Sequence, residues 1–184
     1  YVTGVQTCAL PISDDGVAPA DVASVRCLVP PLVHRLVGRP DVPDPATTYA
    51  RLCLPFVAGT FLARGRVGLA DFTDPQRLAD PAVHARAACV EVVRDANPDE
   101  NAMVPQTVIV RLADGRTREI VLERILGHPD APLGRDAALE KVGAALAEAA
   151  HPLPPGRTEA LVDTVDGLEA APDAAVLARL AVAG

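Results

Sequence analysis

Proton transfer near neutral pH needs histidines, thiols, lysines or paired carboxylates, and these 184 residues hold few of them. The histidines are His34, His84, His128 and His151, and Lys141 is the single lysine. His128 sits in the Gly/Pro loop Gly127–Gly134, where a residue type that titrates near neutrality could serve acid–base work. His34 and His84 lie on or beside short predicted helices without an evident acidic or cysteine partner, so both read as structural or surface residues. His151 precedes Pro152 at a predicted helix end, where a cation complements the helix dipole. Lys141 falls on an amphipathic helix and reads as solvated or ion-paired. No Ser-His-Asp arrangement is supported by spacing, and no glycine-rich loop could cradle a phosphate.

The thiols point the same way. Apart from Cys8 in the uncharged leading segment, Cys27, Cys53 and Cys89 are far apart and set among apolar neighbours, with no Cys-x-x-Cys or His-x-x-x-His spacing for zinc. They read as buried, reduced cysteines of a cytoplasmic protein that uses no metal or other cofactor. A net charge of −7 without a local basic patch argues against a nucleic-acid partner. No apolar run approaches the ~20 residues of a membrane span, so no membrane partner is expected. Aromatics are only 3% of the chain, so the core must come from Leu, Val, Ile and Ala.

The elements that must position these groups follow from local pattern. Ser24–Val29 reads as a strand halted by Pro30-Pro31, and Leu32–Val37 as a helical turn. Pro40, Pro43 and Pro45 make Arg39–Ala46 a loop. A long helix is expected from Thr47 or Thr48, as cap, to Gly65, kinked at Pro55 and apolar nearly all round. Such a helix belongs between layers. Asp74-Pro75 and Asp80-Pro81 each combine an N-cap with a first-turn proline.

Cys89–Arg94 reads as a further strand, and Thr107–Leu112 with Arg116–Leu122 as a hairpin turning at Asp114-Gly115. The expected class is α+β, with a three- or four-stranded, mostly antiparallel sheet packed by helices. Helices follow with Leu139, Val142, Leu146 and Ala149 on one face, then at about 158–167 and 173–181. Their apolar faces exceed what a small sheet needs, and they are expected to dock on a helical domain.

A change of composition marks Ser13–Asp14. Before it, residues 1–12 carry no charge and no periodicity. No Lys or Arg precedes Arg26, and Gly4, Gln6, Thr7 and Pro11 interrupt any apolar run, which argues against a secretory signal. The segment resembles a translated sequencing adapter. The expected organisation is therefore an adapter-derived segment at 1–13, a small α+β domain at 14–134, and C-terminal helices at 135–184.

Several ordered blocks resemble the C-terminal part of the MmgE/PrpD family, over roughly Ala20–Leu180. Val22-Ala-Ser-Val25 resembles the start of its small-domain strand, and Ala50-Arg-Leu-Cys-Leu-Pro-Phe-Val-Ala58 its Ala-x-Phe-Ser-x-x-Tyr-x-Ala helix. Gly65-Arg-Val-Gly-Leu-Ala-Asp-Phe-Thr73 with Asp80-Pro81 resembles the following connector. Leu112-Ala-Asp-Gly115 resembles the hairpin, and Gly127-His-Pro-Asp-Ala-Pro-Leu-Gly134 with Lys141 its Gly-x-Pro-x-x-Pro-Leu-Ser segment and lysine.

The resemblance implies a parent lyase, a homodimer, that eliminates water or carbon dioxide from a small polycarboxylate without a metal. It also implies that the main catalytic residues lie upstream and are missing here. The substrate-pocket candidates left are Cys53, Phe56 and His128. Cys53 stands where the family has serine and Phe56 where it has tyrosine, so Phe56 can neither donate a hydrogen bond nor a proton. The competing reading is a non-catalytic α+β interaction module that keeps the fold.

Overall fold

In the computed structural model, which describes residues 17–149, 151, 153–154 and 156–182, the runs rich in β-branched residues form one sheet. The segment 1–13 lies outside the described residues. The strands are β1 (Val22–Val29), β2 (Val90–Arg94), β3 (Gln106–Leu112) and β4 (Thr117–Leu122), in the order β2-β1-β3-β4. β1 is central and pairs antiparallel with β3, Val25 opposite Val110. β3 and β4 form the expected hairpin, closed by Gly115 at φ 88° and by the Arg116 N–H donating to Asp114 Oδ1 at 2.9 Å. β2 pairs with β1 in parallel, Cys27 opposite Val92. A parallel pair needs a long crossover, and the helices between β1 and β2 supply it.

Alternation places Val25, Cys27 and Val29 of β1, with Val108, Val110 and Leu112 of β3, on the core face. Against that core lies a helix buried on every side. The expected continuous helix from Thr47 is two: α2 (Thr47–Arg51) and α3 (Leu54–Arg64), after α1 (Pro31–Val37). Cys53 adopts an extended conformation (φ −110°, ψ 99°) between them. Pro55 is the physical reason. Its missing N–H is tolerated in a first turn and not in a helix interior, so the chain restarts its helix instead of kinking. Ala46, not Thr47 or Thr48, occupies the cap of α2.

Every residue from Leu54 to Leu62 is buried, and α3 stops at Gly65 in the left-handed region (φ 72°). Full burial of side chains such as Leu54 and Phe56 stabilises by roughly 1.5–3 kcal/mol each.

Short helices follow: α4 (Ala70–Thr73), α5 (Pro75–Leu78) and α6 (Pro81–Ala87). Asp74 caps α5 by accepting the Gln76 N–H, and Asp80 caps α6 by accepting the Ala82 N–H, both at 2.9 Å. Asp71, 1% exposed, holds this region together. It accepts from the Gly68 N–H at 2.7 Å, from Arg77 at 3.0 Å and from Arg64, whose other Nη reaches Asp80 at 2.7 Å. This network fixes the end of α3 against the three short helices.

The chain divides after Pro132 into two compact units. The second contains α7 (Arg135–Ala147), α8 (Arg157–Asp166) and α9 (Ala175–Ala181). Arg135 at the start of α7 pairs with Asp163 and, at 2.7 Å, with Asp166 of α8. Among the described residues of this unit only Val162 is buried. No helix of the described residues is long and apolar enough to cross a membrane.

Candidate functional site

The loop after α1 begins where the Gly38 N–H donates to the His34 carbonyl at 2.9 Å. Gly38 then forms an antiparallel bridge with Cys53, which draws the loop alongside the break between α2 and α3. Three side chains hold its first residues. The Cys53 thiol donates to the carbonyls of Arg39 and Pro40, at 3.5 and 3.6 Å, and Tyr49 Oη donates to the Pro40 carbonyl at 2.7 Å. The Arg39 guanidinium lies 5.1 Å from the centre of the Tyr49 ring and donates to the Leu36 carbonyl. Asp41 comes next, and its Oδ2 is 2.7 Å from Nδ1 of His84 on α6.

His84 is packed between polar and apolar neighbours. Its Nε2 lies 2.9 Å from the Leu78 carbonyl, and its ring centre is 5.8 Å from that of Phe56. Phe56 also meets Phe72 at 6.2 Å, so its ring braces the histidine from the core side. Beside the loop opens a pocket of about 480 Å³ between Arg39–Asp41, Pro55 and the first residues of β2. Its charged walls are Arg39, Asp41 and Glu91.

Two of the three residues expected at a site are thus brought to one place. Cys53 binds the loop that carries Asp41, and Phe56 touches His84, which holds Asp41. Cys53 itself is fully buried, and burial pushes its thiol up to about 11, with the nearby Asp41 charge acting in the same direction. The Phe56 amide and Arg39 oppose the shift without cancelling it. A neutral, buried thiol is a hydrogen-bond donor here and not a nucleophile.

His128 is elsewhere. It is exposed in a tight turn in which its Nδ1 accepts the Asp130 N–H at 3.1 Å, and its described polar contacts stay within that turn.

His84 has a partner that the sequence does not reveal. The sequence offers it no evident acidic partner, yet Asp41, 43 residues away, provides one. No local signal links the two, because a proline-rich loop and a helix cap become neighbours only through the crossover between β1 and β2. Asp71 and its arginines were equally invisible to spacing.

The architecture defines an α+β domain, a small mixed sheet packed by a buried helix and followed by a separate helical unit. The particular family is then clear from comparison with protein-family models: residues 5–166 match the MmgE/PrpD C-terminal domain, and the chain belongs to that family. The match opens upstream of Ala20 and closes before Leu180, the bounds of the resemblance read from the sequence. No curated protein matches the chain.

Proposed function

We propose that this chain is the small α+β part, with its trailing helices, of a lyase that removes water from a small polycarboxylate of the 2-methylcitrate kind. The match to the MmgE/PrpD C-terminal domain over residues 5–166 is the observation that carries this reading. In it, residues 14–134 form the small domain and residues 135–184 return to a helical domain. The scarcity of buried side chains in α7–α9 supports such a docking surface.

The reaction needs a base for a carbon-bound proton, an acid for the departing hydroxyl, and cations for carboxylates. The helical part of the parent supplies the main acid–base groups. This chain contributes a pocket wall that the buried Cys53 and Phe56 shape from behind, and His128, exposed in its separate turn, is proposed to face the cleft of the parent. The parent is read as a cytoplasmic homodimer that works without a metal.

The test is an ultraviolet assay of the purified chain with 2-methylcitrate and with cis-aconitate. No turnover is expected from the chain alone, and detectable turnover would overturn the division of labour. The alternative is a non-catalytic interaction module of the same fold. Recovering the coding sequence upstream of Asp14 separates the two. A continuous frame encoding a helical domain supports the lyase, whereas a start codon at that point supports the module.

A further inference from the structure

Both ring nitrogens of His84 face acceptors. Nε2 lies 2.9 Å from the Leu78 carbonyl, which has no proton to give, so Nε2 must carry one. Nδ1 lies 2.7 Å from Oδ2 of Asp41, and a carboxylate oxygen likewise only accepts. The Asp41 contact is therefore a charge-assisted hydrogen bond while a second proton sits between the two groups. A neutral imidazole has one N–H. Kept on Nε2, it leaves a lone pair on Nδ1 turned toward the carboxylate, and attraction becomes repulsion.

What depends on this contact is the middle of the loop. Its first residues are held independently, by Tyr49 and Cys53 on the Pro40 carbonyl. Its far end is held where the Ala50 N–H donates to Ala46 at the start of α2. Between these anchors Asp41 reaches across to α6, while its Oδ1 is buried without a hydrogen-bond partner. Pro43 and Pro45 bring no N–H donors, and Asp44 stands in the left-handed region at φ 51°, uncommon for a residue with a side chain.

Of the other groups near the ring, Asp80 acts on His84 through its charge without touching it. Asp80, at the cap of the same helix, holds Arg64 and the Ala82 N–H. Arg39 lies over Tyr49, Cys53 at the head of α3 is a neutral thiol, and Phe56 presents an uncharged ring. Asp41 is the acid in contact with His84, and it also lines the pocket beside β2.

The geometry points to a proton-operated latch: protonated His84 holds Asp41 and the loop behind it against α6, and loss of the ring proton releases them and widens the pocket beside β2. The latch does not depend on the lyase reading.

NMR of the unmodified chain across an acidic-to-alkaline series tests it. Backbone order parameters of Val42 and Asp44 are expected to fall from the rigid range, about 0.85, to below about 0.6 as the His84 ring deprotonates. In Asp41→Asn the same order parameters should stay low and flat. Unchanged order parameters in the unmodified chain, or an undiminished pH dependence in the variant, would overturn the latch. Ring-nitrogen shifts of the unmodified chain give a readout that does not rely on the variant folding. Two protonated nitrogens in acid and a neutral ring protonated at Nε2 in base are expected; a neutral ring protonated at Nδ1 would refute the proposal.

Discussion

Gly59 of α3 and Ala87 of α6 meet backbone to backbone: a Cβ at position 59 would lie 2.6 Å from the Ala87 nitrogen and 2.8 Å from its Cα. The contact brings α6, and with it His84, close against the buried helix that carries Phe56. Gly59→Ala should therefore destabilise the first unit by about 1–3 kcal/mol, outweighing the gain of roughly 1 kcal/mol in helix propensity. Urea denaturation of the two proteins checks this, and an unchanged or raised midpoint would show that the two helices can move apart freely.

Asp71 is nearly inaccessible, whereas its partners Arg64 and Arg77 are 21% and 35% exposed at their side chains. Asp71→Asn keeps the shape and removes the charge that both guanidiniums face. Removing one member of a buried pair typically costs 3–5 kcal/mol, and the partial solvation of these arginines places the expected loss near the lower end, about 3 kcal/mol. The same denaturation experiment reads it.

Acid sensitivity should come in part from Asp80. Arg64 first, and then the Ala82 amide, hold its carboxyl below the usual aspartate range. The folded state therefore binds this proton less readily than the unfolded state. The contribution is present above the unfolded value and is lost as pH falls through about 4 and below. Stability measured across an acid series should decline more steeply for the natural chain than for Asp80→Asn. Equal slopes would remove Asp80 from the account.

The Cys53 thiol carries the opposite dependence. Its ordinary value of 9.0 rises to about 11 because burial disfavours the thiolate. The unfolded chain thus loses this proton first, and stability should decline between about pH 9 and 11, by roughly 2–3 kcal/mol at ~1.4 kcal/mol per unit. Cys53→Ala should abolish that share of the alkaline slope. In native alkylation followed by peptide mapping, the half-buried Cys89 should react well before Cys53.

Much of the fold was legible because its signals are local. The Asp74-Pro75 and Asp80-Pro81 caps, the Asp114-Gly115 turn and the alternation of Val108, Val110 and Leu112 each act within a few residues. Pro55 is visible in the sequence, yet the expected kink is a break between α2 and α3. Pro55 favours a restart in its first turn, and the extended Cys53 that this leaves is held by the distant Arg39–Pro40 loop, which local sequence does not reveal.

By itself, then, the sequence determined the α+β class, the hairpin, a buried helix apolar nearly all round and the family to which the chain belongs, since periodicity, caps and motif order are written along the chain. The tertiary structure alone decided that β2 pairs in parallel with β1, that Asp71 gathers two arginines, and that Asp41 meets His84. Those pairings join residues from separate elements, and only the packing of the crossover helices against the sheet brings their charges within hydrogen-bond reach.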